Sequence, residues 1–166
     1  MRVRNLFGLG VMASVVVAVL MACGAPAGPS IKVEDAWSRP ALAMQESSGA
    51  SEGGMSQGMG MAGTGAAFML IRNEGSESDR LIGGRTEVAE VVEIHETVLE
   101  DDIMKMQMLA EGLEVPARGE VQLEPGGYHV MLIGMKQDLN VGESYTLELQ
   151  FEKSGTISVE PEVRQP

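Results

Sequence analysis

Residues 123–132 read Leu123-Glu124-Pro125-Gly126-Gly127-Tyr128-His129-Val130-Met131-Leu132. Pro-Gly-Gly is turn chemistry, because Pro presets φ and Gly accepts the backbone conformations that other residues avoid. The apolar residues before and after it therefore belong to two short strands, 120–123 and 128–135. On both sides of this stretch the same alternation of short apolar runs and breakers repeats. Residues 31–37, 67–71, 88–98, 103–109, 144–151 and 156–163 read as strands. Asn73-Glu74-Gly75, Gly83-Gly84, Asn140-Val141-Gly142 and Ser154-Gly155 read as the breaks between runs. No stretch after residue 23 carries the period and caps of an amphipathic helix. Several short strands at this spacing predict an all-β domain, an antiparallel sandwich or barrel.

The chain has 166 residues, the size of one domain, and a formal net charge of −12. After Arg2 and Arg4 no basic cluster follows, so nucleic acid is a poor partner: a phosphate backbone needs a positive footprint. A single Cys excludes an intramolecular disulfide, a Cys-rich zinc site and a paired-thiol redox centre. Against that one thiol stand 13 Met, so any sulfur chemistry of the domain falls to thioethers.

The N-terminus reads Met-Arg-Val-Arg-Asn, then an apolar run over 6–22, then Cys23-Gly24-Ala25-Pro26. A basic start, an apolar stretch and small residues at a boundary make a secretory signal. Leu20-Met21-Ala22-Cys23 resembles a bacterial lipobox, so cleavage before Cys23 and lipid on its sulfur are expected. An uncleaved membrane anchor is the other reading. Both put the domain outside the cytoplasm, at a membrane. Residues 23–30 form the expected tether, and 31–163 the β-domain. Within that domain, 43–63 is expected to be a Gly/Ser-rich mobile loop, yet it carries Met44, Met55, Met59 and Met61, a residue type that linkers rarely collect. Those thioethers either drape over an apolar patch or serve as auxiliary metal ligands.

Only two histidines are present, His95 and His129, both in strand-like runs. The period of two puts Met104, Met106 and Met108 on one strand face, and His129 beside Met131 on another. Methionine is a good filler of irregular cores, which accounts for Met69. It accounts less well for Met recurring beside both histidines. Imidazoles and thioethers converging make a soft, neutral ligand set suited to Cu(I) and weak for Mg²⁺ or Ca²⁺. A blue-copper electron-transfer centre needs a Cys thiolate, and the single Cys is the expected lipid site.

His95, ten intervening residues, Met106, 22 residues, then His129-x-Met131 resembles the motif His-x10-Met-x21-His-x-Met of the PCu(A)C family of bacterial periplasmic copper chaperones. Ala36-Trp37-Ser38-Arg39-Pro40, Leu70-Ile71-Arg72-Asn73 and the stretch 123–132 are similar to that family as well. The resemblance implies a cupredoxin-like Greek-key β-barrel or sandwich. It also implies Cu(I) near the surface at His95, Met106, His129 and Met131, and delivery of copper to an acceptor such as the CuA centre of cytochrome c oxidase. It implies no catalysis. The second gap is one residue longer than the motif: an extra residue in the Ala110-Glu111-Gly112 turn leaves Met106 as ligand, whereas a bulge in the strand promotes Met104 or Met108. The competing function is a lipid-anchored interaction domain whose Met residues only pack.

Overall fold

The computed structural model describes residues 28–43, 63–100 and 103–165. The described residues form eleven strands: β1 (Ile31–Ser38), β2 (Thr64–Asn73), β3 (Asp79–Thr86), β4 (Ala89–Glu100), β5 (Ile103–Met108), β6 (Leu113–Val115), β7 (Glu120–Leu123), β8 (Tyr128–Met135), β9 (Leu147–Phe151), β10 (Gly155–Val159) and β11 (Glu162–Val163). No helix occurs among the described residues, and none of them forms a membrane-crossing helix. The signal segment, Cys23, and the loop methionines Met44, Met55, Met59 and Met61 lie outside the described residues.

The strands form two sheets, sandwich-like and open rather than closed into a barrel. The larger has the order β11-β1-β2-β7-β8-β4-β5, with β2 pairing β8 through its first half and β7 through its second. The smaller has the order β10-β9-β3-β6. Alternation along each strand turns one face inward. Ala67, Met69, Ile71, Ile94, Val130 and Leu132 of the large sheet belong to one buried core with Leu81, Val115, Leu147, Leu149 and Phe151 of the small one. Each of these side chains larger than that of Ala67 contributes about 1.5–3 kcal/mol by leaving water. Met69 and Met135 are in this core, the gap-filling role expected of a flexible thioether.

Two strands were not legible from composition. Gly83-Gly84, read above as a break, lies inside β3. A Cβ on Gly84 would stand 2.6 Å from the Glu148 carbonyl oxygen, so the glycine marks a close approach of backbones within a strand, not a turn. The three-residue β6 is too short to show a period. At the other end, the run 156–163 divides into β10 and β11 at Glu160-Pro161.

The broken alternation of β1 has a cause. Glu34 pairs with Leu70, but Trp37 pairs with Phe68, so one extra residue is inserted between them, and Asp35 has φ of 48°. The bulge exchanges Ala36 for Trp37 opposite Phe68. Of the expected tether, Gly28 and Ser30 are hydrogen-bonded to the turn after β2, through Ser76 N–H to Gly28 O and Glu74 N–H to Ser30 O.

Candidate metal centre

The outer face of the large sheet carries one row of side chains across five strands. Trp37 of β1 pairs with Phe68 of β2, and their ring centroids are 4.7 Å apart. Phe68 is next to His129 of β8, at 6.4 Å. His129 is directly opposite His95 of β4, at 5.9 Å, and His95 is directly opposite Met108 of β5. Two histidines separated by 33 intervening residues thus become cross-strand neighbours. The core faces of the same strands, Ile94 against Val130, force this, because burying one face of a pleated sheet fixes what points from the other.

The expected methionines surround this pair unequally. Met131 is two residues along β8 from His129, opposite Glu93. The β4–β5 ladder runs without a bulge, placing Met108 opposite His95, Met106 opposite Thr97 and Met104 opposite Leu99. Met106 and Met131 are therefore diagonal neighbours of His95, about 7–8 Å between backbones and within reach of long side chains, while Met108 is the direct one. Met104, Met106 and Met108 are 59, 57 and 52% exposed. A side chain in water fills no core gap, so packing does not explain these three thioethers.

The histidines are sheltered, at 5% exposure for His129 and 13% for the His95 side chain. His129 Nδ1 is 3.1 Å from the Gly127 carbonyl oxygen. A carbonyl only accepts, so Nδ1 carries the proton and Nε2 keeps the lone pair. Burial holds the His129 pKa below its ordinary value; the Gly127 carbonyl opposes this, and the His95 and Arg39 charges add to it. The lowered pKa favours the neutral ring, the form a metal needs. The Arg39 guanidinium is 5.4 Å from the centre of the Phe68 ring. His95 Nε2 is 2.8 Å from Glu93 Oε2, and its Nδ1 is buried with no hydrogen-bond partner. Such an atom costs about 1–3 kcal/mol in lost hydration unless something fills it.

Among the described residues no group of three His, Cys, Asp or Glu could hold a metal ion. The side chains that border this pair on the outer face include the thioethers of Met108, Met106 and Met131, and two imidazoles with thioethers fit a soft monovalent ion. Sequence reasoning passed over Glu93, although its place two residues before His95 on a strand put it on the same face. It also gave no role to Trp37, Phe68 and Arg39.

Residues 31–163 match the family described as "Putative lipoprotein LpqE-like". The chain is 35% identical over 100 residues to "Putative lipoprotein Lxx21020" of Leifsonia xyli subsp. xyli, covering 59% of this chain and 60% of that protein. It is 23% identical over 127 residues to "Uncharacterized protein RP573" of Rickettsia prowazekii, covering 76% and 62%. It thus spans about three fifths of the length of these curated relatives. Among solved structures it is similar to "Apo PCuAC domain from PmoF1", with 23% identity, a TM-score of 0.59 and coverage of 82% of this chain and 94% of that one. It is similar to "Copper-bound PCuAC domain from PmoF2", with 24% identity, a TM-score of 0.58 and coverage of 82% and 93%. The structure of CuI-DR1885 from Deinococcus radiodurans has 26% identity, a TM-score of 0.56 and coverage of 87% and 83%. With its two-sheet topology shared with PCuAC domains and a family match spanning every strand, the chain belongs to the LpqE-like lipoprotein family.

Proposed function

We propose that the domain is an extracytoplasmic Cu(I) metallochaperone, which binds one ion at His95, Met106, His129 and Met131 and passes it on by ligand exchange. The observation that carries this reading is the direct pairing of His95 with His129 on a face where exposed thioethers border sheltered imidazoles. Such a site can hold copper without losing access to it. Thioethers bind without losing a proton, and an acceptor's own ligand can join the ion from the exposed β5 side before an imidazole leaves. Met108 is the competing thioether because it is directly opposite His95. Met104, Met44, Met55, Met59 and Met61 are auxiliary ligands in this reading.

The copper-bound PCuAC domain from PmoF2 and CuI-DR1885, both similar in fold, support copper as the cargo. The family description supports a lipoprotein, with Cys23 as the lipidated residue and the membrane as its anchor. The PCu(A)C resemblance supports the CuA centre of cytochrome c oxidase, or an assembly factor for it, as the acceptor. Copper X-ray absorption on the anaerobically loaded protein tests the site: one Cu(I) with two nitrogen and two sulfur neighbours is expected. A protein that takes up no Cu(I), or an ion bound by oxygen alone, overturns the proposal.

A further inference from the structure

We propose that Glu93 is a positioning residue: by holding the Nε2 proton of His95 it turns that ring's Nδ1 to the metal, while His129, held at Nδ1 by the Gly127 carbonyl, offers Nε2. The inference rests on the copper reading of the histidine pair and adds which atom of each ring binds and what selects it.

Glu93 and His95 are two residues apart on β4 and share its outer face. Glu93 Oε2 and His95 Nε2 are 2.8 Å apart, and both side chains are partly sheltered from water. An ionised carboxylate can only accept, so Nε2 is the protonated nitrogen and the lone pair of the neutral ring is on Nδ1. That Nδ1 is the buried atom with no partner. A structural histidine in a strand would have both nitrogens bonded or wet, because folded proteins leave few buried polar atoms unpaired. At His129 the same logic runs the other way, since the acceptor is the Gly127 oxygen at Nδ1. Glu93 is also directly opposite Met131, so its negative charge stands beside a ligand set that is otherwise neutral. A carboxylate that fixes the tautomer of a ligating imidazole and makes it more basic typically strengthens metal binding 10- to 100-fold.

Cu(I) is diamagnetic, so nitrogen NMR reads each ring atom directly. In the full chain with ¹⁵N-histidine and no metal, His95 is expected as the Nε2–H tautomer and His129 as the Nδ1–H tautomer. One equivalent of Cu(I) under anaerobic conditions should move His95 Nδ1 and His129 Nε2 and leave the protonated nitrogens in place. Glu93→Ala should mix the His95 tautomers and weaken Cu(I) binding by about 10- to 100-fold. Glu93→Gln keeps an acceptor oxygen and should preserve the tautomer and recover part of the affinity. If copper moves His95 Nε2, or if Glu93→Ala leaves the His95 tautomer unchanged, the assignment of Glu93 is wrong while the copper site stands. If copper moves neither ring, both fall.

Discussion

Two groups of sheltered polar side chains, one at the junction of the sheets and one on the outer face, differ in how completely they are bonded. At the junction of the sheets, Asn73 uses its whole side-chain capacity. Its Nδ2 donates to the carbonyls of Glu77 and Val115, and its Oδ1 accepts from the N–H groups of Ser30 and Gly75. Nearby, Asp79 accepts from the N–H groups of Arg80, Lys153 and Ser154 and closes the turn between β9 and β10. On the outer face, His95 and His129 have one protein partner each, and His95 keeps an unpaired buried nitrogen. The first group ties loops to the core; the second leaves bonding capacity unused by the protein among the described residues. Saturation distinguishes these two groups where burial alone does not, because all four residues are sheltered.

The largest effect expected from breaking this contrast is Asn73→Ala. It strands two N–H groups and two carbonyls and should lower stability by about 3 kcal/mol in chemical denaturation. Cu(I) affinity of the folded protein should stay within about twofold, because Asn73 does not touch the outer-face row. If copper binding falls with stability, the two groups are not separable.

His129→Phe should do the opposite. Losing an imidazole is expected to weaken Cu(I) binding at least about 100-fold, about 2.7 kcal/mol. An apolar ring among Phe68 and the core strands should leave stability within about 1.5 kcal/mol of the parent. Anaerobic competition with a chromophoric Cu(I) chelator and a melting curve give both numbers. Unchanged affinity would remove His129 from the site.

Met106→Leu separates ligation from packing at the thioethers. It preserves volume and apolarity on an exposed strand, so a loss of about tenfold, or 1.4 kcal/mol, reports ligation and not packing. Intact binding in this variant with a loss in Met108→Leu would assign the thioether to the residue opposite His95. That outcome would mean that cross-strand register, and not spacing along the chain, selects the ligand.

The smallest effect is in the response to acid, and it separates the groups by pH window. His129 has a folded pKa below its ordinary 6.5, because burial disfavours the imidazolium. Its contribution to stability is therefore complete above 6.5 and is lost as pH falls through the lowered folded value. For Asp79 burial alone would raise the pKa, but the hydrogen bonds from Ser154, Lys153 and Arg80 outweigh it and hold the carboxyl below 3.8. Its contribution is complete above 3.8 and is lost at lower pH. Unfolding free energies measured from pH 7.5 to 5 should fall more in the parent than in His129→Phe, and below pH 4 the two should fall together. Parallel curves across the upper window would show that His129 titrates as it does unfolded.

Much of the domain was legible along the chain. Short apolar runs between Gly, Pro and Asn breakers are a local signal, and they located β1, β2, β4, β5, β7 and β8 within a few residues. The period of two is local as well, so it correctly put Met104, Met106 and Met108 on one face of β5, and His129 with Met131 on one face of β8. Composition failed at Gly83-Gly84 in β3, where Gly84 serves close packing, because a missing Cβ reads the same in a turn and in a crowded strand.

What brought these faces together was register, and register belongs to pairs of strands distant in sequence. Which residue stands opposite His95 depends on how β4, β5 and β8 slide past one another until Ile94, Val130 and Leu132 are all buried. That condition brought His129 and Met108 to either side of His95 and left Met106 one pair away. The bulge at Asp35 likewise put Trp37 beside Phe68, and the hydrogen bond from His95 to Glu93 depended on side-chain packing that no spacing encodes. Residue types and strand faces come from short-range sterics and hydrophobic alternation, which the sequence carries. The meeting of His95 with His129 comes from satisfying one shared core, which only the folded chain does.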